Sequence, residues 1–70
     1  MTEVRAEMVA NVWRILVVEG DRVDDGDTLL ILESMKMEIP VLAETGGVVA
    51  KLHVAEGDVV QEDDLIAVID

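Results

Sequence analysis

Set against itself at an offset of 37 residues, the chain repeats. Val12, Val17, Glu19, Gly20, Asp21, Val23 and Asp27 recur as Val49, Val54, Glu56, Gly57, Asp58, Val60 and Asp64. Conservative pairs fill the intervals: Arg14 with Lys51, Ile15 with Leu52, Leu29 with Ile66, Ile31 with Val68, Leu32 with Ile69, and Glu33 with Asp70. Two such units are too few to stack as a solenoid, which needs about three or more. Each unit must cover the other's apolar face, so the pattern predicts two interlocked halves related by a pseudo-two-fold axis.

Within each unit the order is strand, tight turn, short strand, second turn, strand. In the later copy Val48, Ala50, Leu52 and Val54 alternate with Val49, Lys51 and His53, the period of a strand buried on one side. The same phase turns Trp13, Ile15 and Val17 inward and Arg14 outward, with Leu16, aligned with His53, an apolar exception. Trp13 is therefore expected in the core, filling volume that its small counterpart Ala50 leaves open. Glu19-Gly20-Asp21 and Glu56-Gly57-Asp58 supply matching turns, in which glycine accepts a positive φ. Asp24 to Asp27 and Gln61 to Asp64 form a second matched pair of turns. The closing runs, Leu29 to Leu32 and Leu65 to Ile69, are nearly continuous in apolar residues, which predicts burial on both faces. No stretch shows the three-and-four spacing of a helix, and Pro40 belongs on an edge strand.

Composition narrows the choice of partner. Seventy residues make one domain, 1–70, and a chain this short buries only about 60% of the surface its unfolded form exposes. It has no cysteine for a disulfide and no Cys/His cluster for zinc, so its 51% apolar residues must supply the core. With 16 acidic against 5 basic side chains the formal net charge is -11. Such a molecule repels phosphate backbones and anionic lipid, so neither nucleic acid nor a membrane surface is expected as a partner, and self-repulsion favours a monomer. No apolar run nears the roughly 18 residues of a membrane span. The N-terminus lacks the basic start and apolar middle of a secretory signal, so a cytoplasmic location is expected.

Between the halves lies Glu33-Ser34-Met35-Lys36-Met37-Glu38-Ile39-Pro40, where one apolar run stops and another begins. Two β-type runs so close together read as a hairpin with Lys36 at its tip, in water. Long apolar methionines do not belong on a solvated tip unless something recognises them. With odd numbers flanking Lys36, Met35 and Met37 are expected to share the side opposite to it, partly packed beneath the tip.

The run Glu33 to Glu38 resembles the attachment site of biotinyl carrier domains, where a lysine flanked by methionines receives biotin through an amide bond. The resemblance covers nearly the whole chain. Ala6-Glu7-Met8-Val9 is similar to the family's first strand, and Gly46-Gly47-Val48-Val49 to the strand after the hairpin. Ser34 stands where the family usually has alanine, and Glu7 and Ala10 stand where it often has proline and glycine. The resemblance implies an all-β fold, a flattened barrel of two four-stranded antiparallel sheets. It also implies covalent biotin on Lys36, with Met35 and Met37 read by a biotin protein ligase that supplies biotinyl-adenylate. The product would be a carrier, not an enzyme, moving a carboxyl group between biotin carboxylase and carboxyltransferase components. Lipoyl carriers share the fold and the hairpin lysine but commonly have an acidic residue before it, so lipoate, alone or beside biotin, is the nearest alternative. An interaction module with an unmodified Lys36 is the alternative from another class.

Other candidate sites carry less. A calcium loop starting at Asp21 would need oxygen ligands at its third and twelfth positions, which are Val23 and Leu32, so these aspartates read as turn formers. His53 has no second histidine or cysteine to share a transition metal, and reads as a strand-surface residue. Lys51 pairs with Arg14 in the repeat, so both are expected as exposed cations on equivalent strands. There is no cysteine nucleophile and no glycine-rich phosphate loop, and the chain is too short to enclose a substrate pocket.

Overall fold

A computed structural model describes all 70 residues as eight strands and no helix. They are β1 (Thr2–Arg5), β2 (Ala10–Ile15), β3 (Arg22–Val23), β4 (Thr28–Ser34), β5 (Met37–Leu42), β6 (Gly47–Leu52), β7 (Val59–Val60) and β8 (Leu65–Ile69). All pairings are antiparallel, and they make two four-stranded sheets, β1-β8-β6-β3 and β5-β4-β2-β7. The expected flattened barrel is what forms. One expectation is corrected at its start: Ala6 to Val9 is not a strand but the connection between β1 and β2, and the first strand lies earlier, at Thr2–Arg5.

The pseudo-two-fold axis is written in the hydrogen bonds. The Val12 N–H donates to the Asp58 carbonyl at 2.8 Å, and its mate Val49 N–H to the Asp21 carbonyl at 2.8 Å. The Leu16 N–H donates to the Leu29 carbonyl, as the His53 N–H does to that of Ile66. The Ala43 N–H donates to the Asp27 carbonyl, as the Ala6 N–H does to that of Asp64. This last pair extends the repeat beyond what the sequence comparison above used. Val4, Ala6 and Glu7 are identical to Val41, Ala43 and Glu44 at the same offset, and β1 is the mate of β5.

The acidic turns also pair. The carboxylates of Asp21, Asp27, Asp58 and Asp64 accept from the N–H groups of Val18, Asp24, Ala55 and Gln61, each three residues earlier, closing four turns of one design. Glu19 and Glu56 reach further. The Ile15 N–H donates to Glu56 Oε2 and the Leu52 N–H to Glu19 Oε2, both at 3.0 Å, so each half clasps the other.

Those clasped groups lie beside two bulges. In β2 the register passes from Val12–Leu32 to Arg14–Ile31, and in β6 from Val49–Ile69 to Lys51–Val68, leaving Trp13 and Ala50 as the extra residues. An extra residue shifts the alternation by one, which corrects the placing of Trp13 in the core. Val12 and Val49 point inward at 2% and 1% exposure, while Trp13 faces out at 42%, with the Arg14 guanidinium 5.3 Å from its ring centroid. Arg14 and Lys51 are both exposed, as their pairing predicts.

Burial falls into two groups that the axis exchanges. Ala6, Val12, Leu32, Val60 and Ile66 belong to one, and their mates Ala43, Val49, Ile69, Val23 and Leu29 to the other. Each group draws residues from both halves, so neither half has a core of its own. The apolar runs of β4 and β8, second in their sheets, are buried almost throughout, as predicted. Pro40 lies on β5, an edge strand, where its missing N–H costs no ladder bond.

Gly20 and Gly57 have φ of 97° and 95°, and a Cβ at either would meet nothing within 4 Å. Substitution there therefore costs backbone energy alone. Gly20→Val and Gly57→Val are each expected to destabilise by about 1 to 2 kcal/mol, lowering Tm by at least about 4 °C in a domain of this size. Melting curves of both variants indistinguishable from the parent would show that these turns do not need their glycines.

Candidate functional site: the Lys36 hairpin

β4 and β5 are joined as tightly as a hairpin allows. Ser34 pairs with Met37, so Met35 and Lys36 alone make the loop, with φ of 52° and 66°. Two successive positive φ values define the two-residue turn whose twist matches that of the strands it joins. Asn-Gly is the favoured sequence for it, because side chains crowd the carbonyl in the left-handed region at about 1 to 2 kcal/mol per residue. Met-Lys offers no such relief. Strain is held here by the long β4–β5 ladder, which runs from Ser34–Met37 down to Thr28–Leu42.

The cost leads to a test of its own. Replacing Met35 by Asn and Lys36 by Gly together is expected to raise stability by about 1 to 2 kcal/mol while removing the amine of the tip. A double variant that melts at or below the parent's Tm would show that the turn is not strained.

Lys36 is exposed, as predicted for a tip residue. The single ion pair of the molecule joins Arg5 to Glu3, so the Lys36 amine has no carboxylate partner. The methionines are placed differently from expectation. Met35 is 92% exposed and does not pack beneath the tip, while Met37, the first residue of β5, is 63% exposed. The alternation argument failed because Met35 and Lys36 are turn residues, to which the strand period does not apply. Both methionines are largely exposed beside the amine.

Behind the tip, Glu33 and Glu38 face each other across the ladder. Like charges opposite one another oppose pairing, another local cost borne by the strands. His53 is exposed, as expected, and Lys51 sits on β6 beside the bulge, in the other sheet from the hairpin. A groove of about 650 Å³ runs between the edge strands β1 and β5, lined by Val4, Ile39 and Val41 among others, but Met35 and Lys36 do not line it. The tip is thus a protruding group open to an enzyme's site. It brings together a primary amine and two apolar side chains, but no general base and no nucleophile other than the amine itself.

Comparison with known proteins agrees with this geometry. The family model described as "Biotin-requiring enzyme", the biotin/lipoyl domain, matches residues 2–69. The chain is 60% identical over 67 residues to the biotinylated protein TB7.3 homolog of Mycobacterium leprae, covering 96% of this chain and 94% of that one. It is 43% identical over 63 residues to the biotin/lipoyl attachment protein of Bacillus subtilis, covering 90% and 86% of the two. Among solved structures, the urea carboxylase of Kluyveromyces lactis superposes with a TM-score of 0.92 at 36% identity, over 99% of this chain and 6% of the far longer carboxylase. A family match over nearly all of the chain, close relatives of the same length and a barrel with an exposed hairpin lysine agree: the chain belongs to the biotin/lipoyl attachment family.

Proposed function

We propose that this protein is a biotin carrier and that Lys36 is the residue that holds the cofactor. The observation that carries the reading is the hairpin itself: a lysine and an adjacent methionine forced into a strained two-residue turn, both presented to solvent by a rigid ladder. A turn selected for stability would not have these residues. The relatives named as biotinylated or as biotin/lipoyl attachment proteins support biotin as the group carried.

The attachment reaction needs an activated acyl donor, since the chain offers nothing to activate one. The deprotonated Lys36 Nζ would attack the biotinyl carbonyl of biotinyl-adenylate on a biotin protein ligase. A C–N amide bond forms, the C–O bond to the phosphate breaks, adenylate leaves, and the amine's proton passes to the ligase site or to water. Met35 and Met37, unburied and adjacent, are the apolar contacts a ligase would use to seat the amine.

Once attached, biotin sits on an arm of roughly 14 Å, lysine and biotin side chains together, summing bonds of ~1.5 Å. A tethered reagent visits neighbouring active sites at high effective concentration. The likeness to a domain of urea carboxylase favours carboxylase components as partners, with biotin carboxylated at one site and the carboxyl group delivered at another. The proposed protein is monomeric and cytoplasmic, where ligase and ATP are present. Mass spectrometry of the intact protein from its native host tests the whole reading. It is expected to show the mass increment of one biotin on the peptide holding Lys36. A lipoyl increment there would assign the lipoyl role instead, and an unmodified peptide would leave an interaction module.

A further inference from the structure

The pseudo-two-fold axis provides an internal control, because each surface position has a mate that occupies the same place in the same fold. On the outer face of sheet β5-β4-β2-β7 three positions are apolar where their mates are small or charged, while Asn11 and Glu38 are polar where theirs, Val48 and Met1, are apolar. Trp13 corresponds to Ala50, Val59 to Arg22 and Pro40 to Glu3. Trp13 and Val59 are 42% and 60% exposed, and Pro40 is exposed too. The fold does not require apolar side chains at these places, since its other half forms with small or charged ones.

Register gathers them. Val59 pairs with Asn11, Asn11 with Glu33, and Glu33 with Glu38, making one row across the sheet. Two residues further from the tip, Arg14 pairs with Ile31 and Ile31 with Pro40, and the bulged Trp13 stands at the Arg14 end of that row. At about 3.3 Å per residue the first row lies about 7 Å behind Met35 along the strand, and the second about 13 Å. A standard interface buries about 800 Å² on each side, a patch about 16 Å in radius, so any enzyme seated on the tip over this sheet also covers both rows.

We propose that this face is a docking surface for the biotin protein ligase, with Trp13 as its apolar anchor and Glu33 and Glu38 as its charged rim. The proposal rests on Lys36 being the biotin acceptor. Charge supports the choice of occupant. A ligase that holds an acyl-adenylate surrounds a phosphate with cationic groups, which complement an acidic pair beside the acceptor amine and a net charge of -11. A second copy of this chain would bring the same acidic row against itself. A tryptophan in this face, with the Arg14 guanidinium 5.3 Å from its ring centroid, suits an anchor that loses little freedom on binding.

The mates supply substitutions that the fold accepts. Trp13→Ala, and separately Val59→Arg, install what the other half already has at those positions. With the biotin protein ligase of the native host, biotin and ATP, initial rates of labelling against carrier concentration are expected to show KM raised about tenfold in Trp13→Ala, with kcat within twofold of the parent. Val59→Arg, which opposes a basic partner, is expected to raise KM in the same way. The variants' melting curves are recorded alongside to confirm folding. Unchanged kcat/KM in both, with the parent well labelled, would overturn the docking surface and leave Lys36 as acceptor. A fall in kcat with KM unchanged would also overturn it, by showing that Trp13 acts on tip geometry. If labelling is unchanged while the biotinylated Trp13→Ala protein is carboxylated poorly by a biotin carboxylase, the face belongs to that enzyme. A parent dimer that Trp13→Ala abolishes would assign the face to a second copy. A parent that no ligase labels would overturn the function and the surface together.

Discussion

Lys36→Arg is expected to abolish biotinylation and to leave the fold as it is. Arginine keeps the positive charge, but its guanidinium stays protonated at any physiological pH and cannot serve as the acyl acceptor that a lysine amine becomes on losing its proton. The side chain makes no ion pair and stands in water, so nothing in the fold depends on its identity. The stability change should stay within about 0.5 kcal/mol. Lys51→Arg is the matched control and should be labelled like the parent, because Lys51 lies on the other sheet with no methionine beside it. Streptavidin blotting after incubation with ligase, biotin and ATP reads both. A biotinylated Lys36→Arg protein would refute the site, and peptide mapping would then show whether Lys51 or the exposed N-terminus had taken the group.

Exchanging Met35 and Lys36 should cut the labelling rate by about 10²-fold or more. Both residues occupy left-handed positions of the same turn, and both are unbranched at Cβ, so the exchange changes neither the strain nor the ladder beneath it. What moves is the amine. It shifts to the β4 side of the turn, and the thioether that preceded it now follows it. Acyl transfer to a bound adenylate requires the nitrogen within about 3 to 3.5 Å of the carbonyl carbon, and misplacement by about 1 Å costs about 10²-fold. A ligase that reads only a Met-Lys string in flexible chain would tolerate the exchange. Equal initial rates for exchanged and parent proteins, both with cooperative melting curves, would show that hairpin geometry does not determine acceptance.

Much of this is legible in the residues because the fold is built twice. Identical glycines and aspartates at one offset demand the same turns in both halves, and four N–H groups capped by Asp21, Asp27, Asp58 and Asp64 meet that demand. The apolar runs of β4 and β8 announce their burial, since no other place in so small a chain could hold them. The Met-Lys-Met triplet between the halves marks the candidate site. The first strand was legible too, in the identities of Val4, Ala6 and Glu7 with Val41, Ala43 and Glu44, but only when the comparison is carried across the hairpin.

Two features came from tertiary structure alone. Trp13 is apolar and in phase with Ile15 and Val17, and alternation sends it to the core. The bulge that turns it out forms where the turn of the other half, Glu56 to Asp58, bonds to Val12 and Ile15, a contact between residues more than 40 positions apart. The exposure of Met35 is decided in the same way. Nothing in Met-Lys asks for positive φ at both residues, and local preference opposes it. The ladder from Ser34–Met37 to Thr28–Leu42 closes the hairpin on two residues, and a two-residue loop between twisted strands favours the positive φ that both residues adopt. Local chemistry therefore named the turns, the buried runs and the candidate lysine. The directions of Trp13 and Met35 depend on long-range pairing that overrides local preference.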